Sequence, residues 1–305
     1  MTYNQLWKRL TAIYNEREAQ AIVRTVLDAL FGMSLTDICL GKVTQLSADD
    51  TTRLEKIMQR LEKSEPVQYV LGAEWFAGRL FDVAPGVLIP RPETEDLVKW
   101  ACDEAKEKEK EDNSKEERGK EEKEVSKKGE EVPHPSILDI GTGSGCIAIT
   151  VALALPQARV TAWDISTDVL AIAAGNAHRL GASVRFEHQD ALSAPDDEAC
   201  WDVIVSNPPY ICDRERADMS DNVLSYEPEL ALFVPDSDPL LFYRAIARYA
   251  SKALKPGGRL LFETNTAYAH EVAQAMADEG FTAIEVRNDC FGKPRMVKGA
   301  FIREE

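Results

Sequence analysis

The sequence predicts a doubly wound α/β domain with an antiparallel last strand, preceded by a small helical domain. After Pro135, short apolar segments of strand length alternate with amphipathic segments of helix length. This alternation indicates a mainly parallel sheet with helices on both faces. The first 60 or so residues instead carry apolar residues at helical spacing. The last two predicted strands are separated by a turn-rich stretch, so they should pair antiparallel.

Three regions are predicted along the chain. Residues 1–73 should form a helical domain, residues 74–98 a β-hairpin with a connecting segment, and residues 99–305 the α/β domain. From about 103 to 131 the α/β domain is interrupted by a stretch made almost wholly of Lys and Glu. Its low apolar content predicts a solvated insertion, either disordered or a single exposed helix.

The hairpin and the start of the next helix are placed by turn residues and capping residues. β-Rich stretches at Phe76–Val83 and Val87–Ile89 flank the turn Ala84-Pro85-Gly86. Arg91-Pro92-Glu93-Thr94-Glu95 then opens a helix with acidic residues in its first turn. Thr94 is the expected N-cap.

The elements predicted after Pro135 follow in a regular order. Strands are expected at Ile137–Ile140, Arg159–Asp164, Val184–His188, Trp201–Ser206, Arg259–Glu263, Thr282–Arg287 and Met296–Ile302. Helices are expected at Cys146–Leu155, Asp168–Leu180 and Leu240–Leu254. In an open α/β sheet, ligands bind beyond the carboxyl ends of the strands, so the loops after these strands should hold the functional residues.

The composition is that of a globular protein and narrows the range of partners. No apolar run approaches the roughly 20 residues that span a bilayer, and the N-terminus lacks the features of a secretory signal. Six cysteines and four histidines are scattered without metal-ligand spacing. We therefore expect a cytoplasmic protein with free thiols, no metal site and no membrane contact. The net charge of −16 opposes non-specific binding of nucleic acid.

A glycine-rich loop follows the first predicted strand of the α/β domain. Gly141, Thr142, Gly143, Ser144 and Gly145 open the next helix, and the pattern is G-x-G-x-G. A dinucleotide site would have G-x-G-x-x-G, in which the loop cradles a pyrophosphate. The shorter pattern, with an acidic residue two positions before its first glycine, favours a cofactor such as S-adenosylmethionine. We expect all five residues to bind the cofactor.

Two further carboxylates lie where the next strands end. Asp164 is the last residue of the second strand, roughly 20 residues beyond the glycines, the offset at which a carboxylate accepts hydrogen bonds from ribose hydroxyls. Asp190 follows the third strand and could accept from the adenine amino group. Ala191 could contribute its backbone N–H there. These three residues are expected to bind the cofactor.

The strand at Trp201–Ser206 ends in the tetrapeptide Asn207-Pro208-Pro209-Tyr210. Consecutive prolines lack N–H donors and hold the backbone extended. They should place the Pro208 carbonyl beside the Asn207 side chain, so that two acceptor oxygens converge beside an aromatic ring. This arrangement suits methylation of a planar NH2 group. Asn207, Pro208 and Tyr210 are the expected catalytic residues, and Asn207 to Tyr210 should bind the substrate.

The glycine loop and Asn207–Tyr210 together resemble the class I methyltransferases that methylate amino groups. The segment PVQYVLGAEWFAGRLFDVAPGVLIPRPETE, residues 66–95, is similar to the signature of the bacterial release factor glutamine methyltransferases, the PrmC (HemK) family. The resemblance implies a Rossmann-like fold and the cofactor S-adenosylmethionine, with S-adenosylhomocysteine as product. It also implies that the substrate is the glutamine in the Gly-Gly-Gln motif of peptide chain release factors, methylated on N5. Asn207 would then contact the cofactor region as well as the substrate.

Other functions remain open at this point. An adenine N6-methyltransferase on nucleic acid would share Asn207–Tyr210 and flip its base into the site, but the acidic charge counts against it. A sister family methylates a glutamine of a ribosomal protein and has a different sequence after Ile-Pro-Arg, so Arg91–Glu95 favours the release factor branch. A cofactor-binding regulator without activity would have no use for the converging acceptors.

Ala191 departs from the family, where a bulky residue commonly follows the acid of the third strand.

Overall fold

The computed structural model describes residues 1–121 and 134–302. They divide into two compact units. The first contains Met1–Glu74, Val83–Pro85 and Asp218–Glu227, and the second contains Trp75–Asp82, Gly86–Ala217 and Pro228–Glu305. Within the described ranges, no helix is long and apolar enough to cross a membrane.

The helices and strands are numbered in chain order. The helices are α1 Tyr3–Arg9, α2 Glu16–Phe31, α3 Leu35–Cys39, α4 Ala48–Leu61, α5 Val67–Leu71, α6 Thr94–Glu121, α7 Cys146–Ala154, α8 Thr167–Leu180, α9 Asp221–Tyr226, α10 Glu229–Leu232, α11 Leu241–Ala253 and α12 Ala269–Asp278. The strands are β1 Ala73–Phe76, β2 Arg79–Asp82, β3 Ser136–Ile140, β4 Arg159–Asp164, β5 Val184–His188, β6 Trp201–Ser206, β7 Ile211–Cys212, β8 Phe233–Val234, β9 Leu254–Glu263, β10 Phe281–Asn288 and β11 Pro294–Phe301.

The first unit is built around the helices that the N-terminal periodicity predicts. Their apolar stripes meet in one core, whose fully buried members include Leu6, Leu10, Val23, Leu27, Leu54 and Met58. The starts of the helices are set by capping side chains. Asn15 accepts a hydrogen bond from the Glu18 backbone and Ser47 accepts one from Asp50, which satisfies N–H groups that have no partner inside a helix.

The second unit contains a seven-stranded sheet in the order β10-β11-β9-β6-β3-β4-β5. The strands β4, β3, β6 and β9 pair parallel, as does β5 with β4, and β11 is antiparallel to both of its neighbours. All residues of β3 are buried, as expected for a parallel strand covered on both faces. The predicted doubly wound sheet with an antiparallel last strand is confirmed. Helix α12 has no counterpart among the predicted elements.

The hairpin lies earlier in the chain than predicted. Strands β1 and β2 form a two-stranded sheet, and residues 87–89 form no strand. Ala77 and Gly78 connect β1 to β2 with φ angles of 48° and 72°. Two successive residues with positive φ form the kind of two-residue turn whose twist matches that of paired strands. The predicted strand Phe76–Val83 was wrong because the chain reverses inside it.

The Lys/Glu-rich segment is packed at its start, where the sequence predicts a solvated insertion from about residue 103. Helix α6 continues through residue 121, and Glu104, Ala105 and Lys108 are buried. These residues lie on one helical face, a spacing that the average composition hides. Glu104, Ala105 and Lys108 are therefore packed where solvated residues were predicted. Residues 122–131 of the predicted insertion lie outside the described residues.

Glu104 joins α6 to the sheet. Its carboxylate accepts hydrogen bonds from Trp100 Nε1 at 2.9 Å, Lys298 Nζ at 2.6 Å and Arg259 Nε at 3.2 Å. Arg259 is in β9 and Lys298 is in β11, so one buried carboxylate connects a helix to two strands. A buried ion pair often contributes little net stability when it forms. Removing one partner is nevertheless strongly destabilising, because the other charge stays buried without its partner.

Replacing Glu104 should therefore destabilise the protein. Glu104→Ala leaves the largely buried cations of Arg259 and Lys298 without their shared partner and should lower the free energy of unfolding by about 3 kcal/mol. Urea unfolding measures the difference. Glu111→Ala is the matched control, because Glu111 contacts the same Arg259 at 3.2 Å but is 45 % exposed; it should cost less than about 1 kcal/mol. Equal effects of the two variants would contradict the anchoring role of Glu104.

Candidate active site

A cavity of about 480 Å³ lies in the second unit, at the carboxyl ends of β3, β4 and β6. Its volume is within the range of small-molecule sites in proteins, about 300–1,000 Å³. The predicted site residues that line the cavity are Gly141, Thr142, Gly143, Ser144, Asp164, Asp190, Ala191, Asn207, Pro208 and Pro209. Gly145 and Tyr210 are not among the lining residues. The sheet therefore brings three separate predicted motifs to one place, as expected at the switch point of an α/β sheet.

The glycine loop is hydrogen-bonded to the end of β4, and its glycines Gly141 and Gly143 border open space. The backbone N–H groups of Gly141 and Thr142 both donate to the carbonyl oxygen of Trp163, each at 2.9 Å. Gly141 and Gly143 have φ angles of 75° and 56°, and no atom lies within 4 Å of the position a Cβ would take. The loop borders open space there, where a ligand can approach the main chain.

Gly145 serves packing rather than the cavity. A Cβ at this position would lie 2.7 Å from Ile149 Cδ1 and 3.2 Å from Ala173 Cβ. Its φ of 82° also falls in the left-handed region that favours glycine. Gly145 thus lets α7 start directly after the loop and approach α8 closely. The cofactor contact predicted for Gly145 stays a prediction.

Asp139 fixes the loop from inside the core. Its side chain is fully buried, and Oδ2 accepts hydrogen bonds from Thr142 Oγ1 at 2.6 Å and from the Ala148 backbone at 3.2 Å. Its Oδ1 has no hydrogen-bond partner within the described part of the chain. Burial raises the pKa of Asp139 to about 7. Because it joins the end of β3 to both the loop and α7, this carboxyl group sets the shape of the loop.

The two other predicted carboxylates have different surroundings. Asp164 Oδ2 accepts from the Gly143 backbone and Oδ1 from the Ser166 backbone, both at 3.0 Å. Burial is the main cause that raises the pKa of Asp164. Asp190 caps a short 3₁₀ helix, Ala191–Ser193, by accepting from the Leu192 backbone at 2.8 Å. Both side chains reach the cavity while bonded to the loops that form it.

The Asn207 side chain takes part in a buried hydrogen-bond chain. Asn207 Nδ2 donates to Thr94 Oγ1 at 3.4 Å, and Thr94 Oγ1 donates to Glu263 Oε2 at 2.6 Å. The Tyr210 hydroxyl donates to the other oxygen, Glu263 Oε1, at 3.3 Å. Burial raises the pKa of Glu263, and the hydrogen bond from Thr94 opposes this rise. The tetrapeptide is thereby connected to the ends of β9 and α6.

Sequence reasoning missed Thr94 and Glu263 as members of the site. Thr94 was predicted to be an N-cap, but it is the first residue of α6 and its hydroxyl binds Glu263 instead. One signal could have found Glu263. It follows directly after the residue of β9 that pairs with Ser206, so a carboxylate at the end of a buried strand stands beside Asn207. Tyr210 directs its hydroxyl to this carboxylate, and its predicted contact with the acceptor stays a prediction.

Cys146 also lines the cavity, at the first position of α7. The residue is buried, and burial raises the pKa of its thiol to about 12. A thiol with a raised pKa is a poor nucleophile, because the thiolate is the reactive form.

The residues around the cavity fit S-adenosylmethionine. Most of the lining is apolar, as for an adenosine moiety, and two carboxylates, Asp164 and Asp190, supply acceptors for hydroxyl and amino groups. The glycine backbone at Gly141 and Gly143 leaves room for close approach. The loop is also shorter than the G-x-G-x-x-G loop that cradles a pyrophosphate.

The chain matches two family models and is similar to several known proteins. A family model described as a methyltransferase domain matches residues 132–297, and the model of the PrmC N-terminal domain matches residues 3–72. The release factor glutamine methyltransferase of Bacteroides thetaiotaomicron is 44 % identical over 94 % of this chain and 95 % of its own. That of Flavobacterium psychrophilum is 36 % identical over 97 % of both chains. A solved methyltransferase structure from Pyrococcus furiosus is similar with a TM-score of 0.42 and 16 % identity, over 55 % of this chain and 76 % of its own.

Fold, cavity and matched domain define this protein as a class I methyltransferase that uses S-adenosylmethionine. Among these enzymes, the chain belongs to the family of release factor glutamine methyltransferases. The family resemblance drawn from residues 66–95 is confirmed.

Replacing Asp164 tests the cofactor site. Asp164→Ala should raise the dissociation constant of S-adenosylmethionine about 10- to 100-fold, because a hydrogen bond to a charged group contributes about 1.5–3 kcal/mol. Isothermal titration calorimetry measures the constant. Asp168→Ala is the control, because Asp168 is exposed in the first turn of α8 and does not line the cavity. The same affinity in both variants would contradict the assignment of Asp164.

Asp139→Asn should change how stability depends on pH. The folded protein keeps a proton on Asp139 up to a pH of about 7, whereas an aspartate in an unfolded chain loses it near pH 4. The raised pKa therefore contributes stability that is complete below about pH 4 and is lost as the pH rises through about 7.

Across this range the wild type should lose stability relative to Asp139→Asn, by up to about 1.4 kcal/mol per pH unit. Urea unfolding of both proteins between about pH 5 and pH 8 gives the difference. Asp168→Asn serves as the control and should follow the wild type. A difference between wild type and Asp139→Asn that is constant with pH would contradict the raised pKa.

Proposed function

We propose that this protein transfers the methyl group of S-adenosylmethionine to the side-chain amide nitrogen, N5, of the glutamine in the Gly-Gly-Gln motif of peptide chain release factors. The observation that carries the proposal is the position of Asn207. Its amide lines the cofactor cavity, its Nδ2 is already bonded to Thr94, and its Oδ1 is thereby left to accept a hydrogen bond. The names of the relatives support the choice of substrate.

An amide nitrogen is a poor nucleophile, because its lone pair is delocalised into the carbonyl group. S-adenosylmethionine, when bound, supplies a methyl group on a positively charged sulfur. Asn207 Oδ1 and the Pro208 carbonyl oxygen each accept one N–H of the glutamine amide, which orients the nitrogen. The same contacts stabilise the positive charge that grows on the N–H groups as the nitrogen becomes tetrahedral. The proton can leave after the transfer, so no general base is required before it.

Most of the other predicted site residues keep the roles predicted from the sequence. The backbone of Gly141 to Ser144 borders the cofactor, Asp164 accepts from the ribose hydroxyls, and Asp190 with the N–H of Ala191 contacts the adenine. Asn207 is close to both cofactor and substrate. Pro209 and Tyr210 complete the substrate side, and Gly145 shapes the loop. The geometry that supports these roles is the placement of the lining residues around one cavity.

The helical domain, residues 1–73, is proposed to dock the substrate protein. It matches the model of the PrmC N-terminal domain and has its own apolar core, so it can present a fixed surface. The net charge of −16 favours a basic protein partner. Release factors are the proposed partners, and the cytoplasm, where translation ends, is the proposed location. Direct binding of nucleic acid is not part of the proposed function.

Methyl transfer to a purified release factor tests the proposal. Labelled S-adenosylmethionine should methylate the wild-type release factor and leave a variant with Gln→Ala in its Gly-Gly-Gln motif unlabelled. Asn207→Ala in the enzyme should lower turnover about 100- to 1,000-fold, as for other losses of one preorganised polar group. Asn288→Ala, an exposed residue outside the cavity, should keep wild-type turnover.

Two outcomes would overturn the proposed substrate while leaving the enzyme class intact. Label in a ribosomal protein but not in release factors would assign the chain to the sister activity. Label in adenine of DNA or RNA, with binding that weakens steeply as salt rises, would establish a nucleic-acid methyltransferase. Wild-type turnover in Asn207→Ala would contradict the role of this residue whatever the acceptor.

A further inference from the structure

Three side chains distant in the sequence form a continuous hydrogen-bond chain beside the cavity. The chain runs from Asn207 Nδ2 to Thr94 Oγ1 over 3.4 Å and from Thr94 Oγ1 to Glu263 Oε2 over 2.6 Å. Thr94 and Glu263 are 2 % and 1 % exposed, so water does not compete for these bonds. Buried polar groups need hydrogen-bond partners. In such a chain, whether one group donates or accepts therefore determines whether the next group can donate or accept.

Glu263 sets the direction of the whole chain. The nearby Arg295 cation favours the ionised form of Glu263. An ionised carboxylate only accepts hydrogen bonds, so the Thr94 hydroxyl donates its single proton to it. The short distance of 2.6 Å agrees with a charge-assisted bond. Two further contacts hold the carboxylate in place: the Tyr210 hydroxyl donates to Oε1 at 3.3 Å, and the Tyr243 hydroxyl donates to the Glu263 backbone carbonyl at 3.2 Å.

With its proton used, Thr94 can only accept from Asn207. A primary amide has a donor end and an acceptor end of similar shape, which are exchanged by a rotation of 180°. If Oδ1 faced Thr94, two lone pairs would oppose each other and no bond would form. Nδ2 therefore faces Thr94, and Oδ1 is the atom left for the substrate.

We propose that Thr94 and Glu263 are positioning residues, which hold the Asn207 amide so that its oxygen, and not its NH2 group, meets the amide to be methylated. The inference rests on the proposed role of Asn207. An acceptor amide presents N–H groups, so a rotated Asn207 would place donor against donor. Glu263 thus orients the Asn207 amide through two hydrogen bonds, and it does not itself line the cavity.

Substitutions at Thr94 separate the hydroxyl from the rest of the side chain. Thr94→Val keeps the shape but removes the donor and acceptor, and kcat should fall about 10- to 100-fold, the scale of a misplaced polar group. The dissociation constant of S-adenosylmethionine should change less than about threefold, since only orientation is lost. Thr94→Ser keeps the hydroxyl and should restore most of the turnover. Wild-type kcat in Thr94→Val would overturn the inference.

A double-mutant cycle tests whether Thr94 acts through Asn207. In an Asn207→Ala background, Thr94→Val should cause no further loss of kcat, because the amide it orients is gone. Likewise, Glu263→Gln alone should lower kcat, and adding it to Thr94→Val should change little. Losses that multiply in full would show independent roles and contradict the proposal. Thermal unfolding of each variant identifies a loss that comes from a failure to fold.

A measurement on the free enzyme separates this inference from the proposed function. In protein labelled with ¹⁵N-asparagine, the side-chain NH2 signal of Asn207 is identified by its absence in Asn207→Ala. Its hydrogen exchange should be slow in the wild type and in Thr94→Ser, and faster in Thr94→Val. Unchanged exchange in Thr94→Val would overturn the orientation by Thr94, even if release factors are methylated. Faster exchange would support it, even if another acceptor is the substrate.

Discussion

The pairing of β6 with β3 on one side and β9 on the other is the constraint on which the site depends. Ser206 stands opposite Ile140 and Phe262, and its hydroxyl donates to the Ile140 carbonyl oxygen at 2.7 Å. This register places the residues that follow the three strands side by side: the glycine loop, Asn207 and Glu263. A shift of one residue would turn every side chain of β6 to the opposite face of the sheet. The cavity exists because the buried strands exclude such shifts.

Buried polar groups give the site its shape at a cost in stability. Asp139 and Glu263 are both buried carboxyl groups with raised pKa values, and each is tied to a hydroxyl at 2.6 Å. Burial disfavours the charged form of both groups, which is the cost of placing them there. Asp139 is bonded to Thr142 of the glycine loop, and Glu263 is bonded to Thr94 and Tyr210 beside Asn207. In both places a buried carboxyl group accepts a hydrogen bond from a threonine that lines the cavity.

Local patterns were sufficient to predict the elements and the main motifs, but not the contacts between distant segments. Two features depend only on residues that are close together in the sequence, so both were predictable. They are the alternation of strands and helices after Pro135 and the loop from Gly141 to Gly145. The hairpin was misplaced because an alanine with positive φ, Ala77, carries no turn signal in the sequence. The contact of Thr94 with Glu263 spans 169 positions and depends on where α6 meets β9. Composition likewise hid the packed face of α6, since burial of Glu104 requires cations from two strands.

Cys146 gives the cavity a chemical selectivity of its own. Sulfur is a far better nucleophile than an amide nitrogen, and this thiol lines the same cavity as the site of a methyl donor. A thiolate at this position would compete with the acceptor for the methyl group. Because burial raises the pKa to about 12, the thiol keeps its proton at neutral pH. The buried thiol is therefore a weak competitor for the methyl group, although sulfur is intrinsically the more nucleophilic atom.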